Sequence, residues 1–186
     1  MSLEVDRERL LALLRALSFE RRKVVLASGQ ESDFYIDCKR TALTAEGHVL
    51  VGRLLFDRVR RVVPLVRGVG GLTLGADPLA SAIAYTSFLE GAAVDSFIVR
   101  KEPKGHGTGQ WIEGRKTIPD GSRVAVLEDV VTSGGSAKKA IERCREEGLL
   151  VVGCFALVDR LEGGRQAIEA LGVPLQALFT RQDFLS

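Results

Sequence analysis

Apolar positions in the opening stretch "MSLEVDRERLLALLRALSF" recur at helical spacing between arginines and acids, which predicts an amphipathic helix. The following "VVLASGQESDFYIDCKR" is rich in β-branched, aromatic and turn residues and predicts a short strand or hairpin. From Thr44, "TAEGHVLVGRLLFDRVRRVV" sets Leu50, Leu54 and Val59 on one helical face with arginines opposite. A turn at Pro64 leads into "LVRGVGG", a short strand that ends in glycines. In "GADPLASAIAYTSFLEG", Asp77 reads as the N-cap, Pro78 as the first helical residue and the last glycine as the stop. "VDSFIV" is then a strand that delivers Arg100 and Lys101 to its carboxyl end.

Beyond it lies "KEPKGHGTGQWIEGRKTIPDG", polar throughout with glycines at 105, 107, 109, 114 and 121, the best candidate for a mobile loop. The remainder alternates: strand "RVAVLED", helix "SAKKAIERCREEG", strand "LLVVGCFALVD", helix "GGRQAIEALG", strand "PLQALFT". Continuous apolar strands separated by single helices imply an α/β fold, a parallel sheet with helices on both faces. No repeat, low-complexity segment or linker divides the chain, so residues 1–186 are expected to form one domain, with about residues 1–40 as a small N-terminal hood.

Composition adds exclusions. A chain of 186 residues that is 46% hydrophobic can bury one substantial core. Its 26 basic and 24 acidic residues are interspersed apart from Arg100 to Lys104, so bulk charge does not indicate a nucleic-acid surface. No apolar run reaches the roughly 18 residues needed to span a bilayer. The start does not read as a signal peptide, and a cytoplasmic protein without membrane association is expected. Cys38, Cys144 and Cys154 are odd in number and far apart, which argues against disulfide and zinc frameworks.

The candidate chemistry centres on "RVAVLEDVVTSGGSA". In an open parallel sheet, ligands sit at the carboxyl ends of the strands. The strand is expected to run from Arg123 to Leu127, which puts Glu128 and Asp129 at that edge, followed by a tight turn into a helix. Small residues and glycines let backbone N–H groups converge on an anion at the positive end of the helix, and Thr132, Ser133 and Ser136 add hydroxyl donors. Carboxylates prefer the opposite: vicinal hydroxyls, or a hydrated Mg²⁺. Acids that suit a diol beside a nest that suits phosphate describe a sugar phosphate. The bland alternative is a capped turn with two solvated acids.

The stretch resembles the signature with which type I phosphoribosyltransferases bind phosphoribosyl pyrophosphate. By that resemblance, Glu128 and Asp129 hold the ribose hydroxyls, and Val130, Val131, Thr132, Ser133, Gly134, Gly135 and Ser136 cradle the 5′-phosphate. "RKEPKGHG" is similar to the catalytic loop of the orotate phosphoribosyltransferases, close to R-K-x-x-K-x-H-G. "SGQESDFYIDCKR", with its aromatic pair Phe34 and Tyr35, and "LVDRLEGG", with Arg160, resemble two further segments of that family.

The resemblance implies transfer of ribose 5-phosphate from phosphoribosyl pyrophosphate to N1 of orotate, giving orotidine 5′-phosphate for pyrimidine synthesis. It gives catalytic roles to Lys101, Lys104, His106 and Asp129; Arg100, Lys101, Lys104 and His106 would stabilise the departing pyrophosphate. Thr132, Arg160, Phe34 and Tyr35 would contact orotate, Arg160 through the carboxylate. Mg²⁺ on the pyrophosphate and ribose hydroxyls is implied as cofactor, with no protein ligand assigned directly. A homodimer is implied too, with loops shared across the interface so that Lys101 serves the neighbouring site. A phosphoribosyltransferase for another base, or a non-catalytic regulator that binds phosphoribosyl pyrophosphate, are the alternatives.

The chain departs from some family members at two points: Ala27 stands where they carry lysine, and Leu74 and Gly75 replace an aromatic-lysine pair. Tyr85, Phe88 and Phe97 are expected in the core, His48 on a helix surface, and Trp111 either against the closed loop or as a partly exposed anchor.

Overall fold

A computed structural model describes residues 2–25, 31–104 and 109–185, with side chains omitted at 23–25, 31 and 32. The opening helix, α1 (Leu3–Leu13), is capped by Ser2 and continues through one wider turn to Ser18. A hairpin of β1 (Phe19–Val25) and β2 (Glu31–Ile36) and the single turn α2 (Lys39–Ala42) follow. Next come α3 (Ala45–Val62), β3 (Gly68–Leu72), α4 (Asp77–Leu89), β4 (Asp95–Val99) and the two-residue β5 (Ile112–Glu113). The alternating half is β6 (Arg123–Val131), α5 (Gly135–Glu146), β7 (Leu150–Asp159), α6 (Gly164–Glu169), β8 (Leu175–Thr180) and α7 (Gln182–Leu185).

The main sheet has the order β5-β4-β3-β6-β7-β8, parallel except where β5 runs against β4 at the edge. Along β6 the side chains alternate between faces. Ala125 and Leu127 join a core with α1, α3 and α4, whereas Val124 and Val126 join another with α5 and α6. Both faces are thus covered, the arrangement expected from its unbroken apolar strands. Succession along the chain proceeds outward from β3 to β4 and returns to β6 on the other flank. The crevice between the β3 and β6 ends is therefore the topological switch point.

Three expectations are corrected. Strand β6 continues to Val131, because Glu128, Val130 and Val131 remain paired with β7, so the acids lie within the strand. Helix α4 begins one residue early: Asp77 is its first residue, and its carboxylate accepts the Thr73 hydroxyl at 2.6 Å. Tyr85 and Phe88 are 64% and 74% exposed on α4, while Phe97 is buried as expected. With Val49 and Leu89 they leave an apolar surface along α3 and α4.

The hairpin is fastened to the C-terminal segment by aromatic packing. Phe34 lies 5.0 Å from Phe19 and 5.7 Å from Phe184, centroid to centroid. Arg7 to Asp183 adds an ion pair at 2.9 Å, and the buried Asp6 carboxylate lies 2.8 Å from Arg53 on α3. No helix of the described residues is long and apolar enough to cross a membrane.

Candidate active site

At the end of β6, Glu128 is buried and Asp129 partly open. Burial first, and the neighbouring Asp129 charge second, push the Glu128 carboxyl up to about 9. Asp129 Oδ1 accepts the Val130 N–H at 2.9 Å, and its Oδ2 lies 3.7 Å from Lys39 Nζ.

Across the crevice, the β3–α4 turn presses on the same carboxylate. A Cβ on Gly75 would come within 2.5 Å of Asp129 Oδ1. A side chain at Gly75 would therefore require the Asp129 carboxylate to shift.

The β6–α5 turn folds as its small residues require. Gly134 has φ +81°, and a Cβ there would meet the Gly164 carbonyl oxygen at 2.9 Å, so both the conformation and the close approach favour glycine. Gly135 opens α5, where a Cβ would meet only Ser133 Oγ, at 3.8 Å. Val130, Val131, Thr132, Ser133, Gly134, Gly135 and Ser136 line one cleft of about 280 Å³ with Glu128 and Lys139. Backbone amides, three hydroxyls, a helix start and one ammonium suit a phosphate monoester.

The basic loop is better ordered at its base than the polar sequence suggests. The Arg100 N–H donates to Trp111 O at 2.9 Å and the Lys104 N–H to Gln110 O at 3.1 Å, which extends the antiparallel β4–β5 pairing into a ribbon. Arg100 pairs with Glu113 at 3.3 Å, and Lys101 and Lys104 stand exposed. His106 lies outside the described residues, as do Ala27 and the early Ser-Gly. Arg100, Lys101 and Lys139 line a second cleft of about 270 Å³, floored by Trp111, whose ring lies 3.7 Å beneath the Arg143 guanidinium.

On the opposite flank, the Arg160 N–H donates to Val131 O at 2.9 Å, which ties the β7 corner to the phosphate turn. The Arg160 guanidinium is buried, donates to Glu162 and lies 5.4 Å from the Phe34 ring. Phe34 belongs to the core beneath this arginine, and Tyr35, on the opposite face of β2, lies under Arg22 at 3.9 Å. The two aromatics therefore occupy different environments. Sequence reasoning misses Lys39, Lys139 and Glu162. Lys139 is within its reach, one turn past Ser136 on a helix that the pattern predicts; the other two depend on chain crossings or corners that no spacing encodes.

A turn that offers amides and hydroxyls to phosphate, next to carboxylates suited to a diol at a switch point, defines a phosphoribosyltransferase. The family model described as the phosphoribosyl transferase domain matches residues 68–170. The orotate phosphoribosyltransferase of Sorangium cellulosum is 54% identical over 180 residues, 97% of this chain and 93% of that protein. Among solved structures, the Mycobacterium tuberculosis orotate phosphoribosyltransferase in complex with Fe(III) dicitrate superposes with a TM-score of 0.83 at 40% identity, covering 96% of this chain and 98% of that one. The same enzyme in complex with phosphoribosyl pyrophosphate gives 0.79 at 38% identity, covering 97% and 99%. This chain belongs to the orotate phosphoribosyltransferase family.

Proposed function

We infer that the chain transfers ribose 5-phosphate from phosphoribosyl pyrophosphate to N1 of orotate, releasing pyrophosphate and giving orotidine 5′-phosphate for pyrimidine synthesis. The observation that carries this reading is one continuous segment, Glu128 to Ser136, with carboxylates at one end and the phosphate cleft at the other. A ribose 5-phosphate spans such a pair of subsites. Bond breaking at the anomeric carbon builds oxocarbenium character, and Asp129 is suited to accept a ribose hydroxyl as that charge grows. The cradle, with Thr132, Ser133 and Ser136, anchors the 5′-phosphate.

Lys101 and Lys104, exposed on the ribbon beside Arg100, supply positive charge for the leaving pyrophosphate. His106 is assigned to the same task as a proton donor. N1-deprotonated orotate is already nucleophilic, so positioning and leaving-group stabilisation supply most of the acceleration. On the base side, Thr132 and Arg160 are assigned to orotate, with Phe34 supporting Arg160 from below and Tyr35 retained as a hood contact.

Mg²⁺ fits these residues in a restricted way. Among the described residues no three His, Cys, Asp or Glu side chains converge. The donor set suits an ion that keeps its waters and is held by one carboxylate, Asp129, and by substrate oxygens. When bound, such an ion neutralises charge on the diphosphate.

A homodimer with loops shared between sites is part of the reading. Its support is the exposed apolar surface of Val49, Tyr85, Phe88 and Leu89, of the kind that marks association. A cytoplasmic location is supported by three buried free cysteines. Burial pushes the Cys144 thiol up to about 12, which keeps it in the unreactive form.

The test is the ultraviolet absorbance of orotate with the protein, Mg²⁺ and phosphoribosyl pyrophosphate, with adenine, hypoxanthine and uracil followed by product chromatography. Loss of the orotate signal only in the complete mixture is expected. Turnover of another base instead would overturn the base assignment, and silence with every base would overturn catalysis.

A further inference from the structure

Strand β7 ends at Asp159, and the corner after it turns the chain back on itself. Leu161 has φ +59°, the one positive φ outside glycine among the described residues, and the buried Asp159 carboxylate accepts the Leu161 N–H at 2.9 Å. A leucine held in this left-handed conformation is under local strain. The turn brings Glu162 back onto Arg160, two residues earlier.

The contact is poorly matched. Arg160 Nε and Nη2 both donate to the same oxygen, Glu162 Oε1, at 3.2 and 2.9 Å. Glu162 Oε2 is buried and has no hydrogen-bond partner among the described residues. A guanidinium edge binds a carboxylate best when each nitrogen meets its own oxygen in two parallel bonds. An external carboxylate, free of the corner's geometry, can make both. A second cation waits nearby: Arg181 Nη1 lies 3.6 Å from Glu162 Oε1, and Arg181 Nη2 also reaches Asp33 on β2 at 2.7 Å.

We propose that Glu162 is a specificity-determining residue that competes for the base-recognition arginine: its carboxylate occupies Arg160 until the carboxylate of the incoming base replaces it and Glu162 turns to Arg181. The inference rests on Arg160 as the reader of the base carboxylate. A base without that group cannot displace Glu162 and meets an arginine already engaged, so the corner selects against uncharged pyrimidines. Because Arg181 also holds Asp33, the exchange is linked to the hairpin that carries Phe34.

The two product-like nucleotides orotidine 5′-phosphate and uridine 5′-phosphate differ only in the carboxylate, and titration of both measures the exchange without catalysis. Glu162→Gln should bind orotidine 5′-phosphate about three- to tenfold more tightly, the scale of one charge-assisted hydrogen bond formed against a weaker competitor, with uridine 5′-phosphate unchanged. Arg181→Met should weaken orotidine 5′-phosphate alone, and should have no such effect in the Glu162→Gln background. Weaker binding of orotidine 5′-phosphate by Glu162→Gln, no change, or an equal change for both nucleotides, would overturn the proposal and make Glu162 an orienting group. Melting curves identify any variant lost to unfolding, and the Arg181→Met comparison then decides alone. Arg160→Lys separates the two levels: it should abolish the preference for orotidine 5′-phosphate. An intact preference would instead remove Arg160 from base recognition altogether.

Discussion

Lys39 Nζ lies 3.7 Å from Asp129 Oδ2, across the junction between α2 and the end of β6. Its firmer partner is Asp37, at 2.7 Å. The hydrogen bond to Asp37 first, and Asp129 further out, hold the ammonium's pKa above the ordinary lysine value. With Gly75 crowding the other side of Asp129, Lys39 is the cation that balances this carboxylate.

Lys39→Met should therefore raise the KM for phosphoribosyl pyrophosphate by about three- to tenfold, through a worse-placed Asp129, with a smaller change in the KM for orotate. Lys39→Arg should restore most of the loss. Steady-state kinetics with each substrate varied in turn checks both.

Glu128 gives a dependence on pH with a definite sign. Its folded pKa of about 9 lies above that of an unfolded glutamate. Between the two values the folded state keeps a proton that the unfolded state has released. The stabilisation from this group is complete below the unfolded pKa and is lost as pH rises through the folded one. Tm should therefore fall between about pH 5 and pH 9, and Glu128→Gln should flatten the fall. Thermal melts across that range in dilute buffer measure it.

The two glycines of the phosphate turn should respond differently to a methyl group. Gly134→Ala puts a side chain into a left-handed conformation and against Gly164, and should cost about 1–3 kcal/mol of stability. Gly135→Ala meets only Ser133 Oγ, at an ordinary contact distance of 3.8 Å, and should change stability by less than about 1 kcal/mol. It should nevertheless raise the KM for phosphoribosyl pyrophosphate, since Gly135 lines the cleft. Denaturant melts and kinetics on the pair separate the two effects.

Sharing of the basic loop between subunits predicts complementation. Lys101→Ala and Asp129→Asn should each be nearly inactive. Mixed and allowed to exchange, they should recover about a quarter of wild-type activity, because half of the dimers are mixed and each has one intact site. Recovery should fail in a Tyr85→Glu, Phe88→Glu background that sediments as a monomer. No recovery between variants shown to exchange would mean that each subunit uses its own loop.

The sequence is most legible where the chemistry is local. The turn from Thr132 to Ser136 needs small residues for reasons visible in the letters themselves, and the parallel sheet follows from unbroken apolar runs such as "LLVVGCFALVD". The letters place the end of β6 too early because acids usually mark a strand's exit. Here β7 continues to pair with them, and burial protonates Glu128. Tyr85 and Phe88 read as inward because aromatic residues usually are, yet which helical face meets the sheet depends on packing against α3. The Lys39 and Asp129 contact joins residues ninety positions apart in the chain; sequence alone holds no signal for it.

The basic ribbon has a consequence for how the protein fails. It is built on β5, an outermost strand of two residues joined to β4 by two paired positions, whereas the central strands are bound on both sides. Warming should fray this selvage first and remove Lys101 and Lys104 from the reaction while the cloth beneath stays whole. Heat inactivation would then precede loss of helical ellipticity, and on cooling the activity would return without refolding.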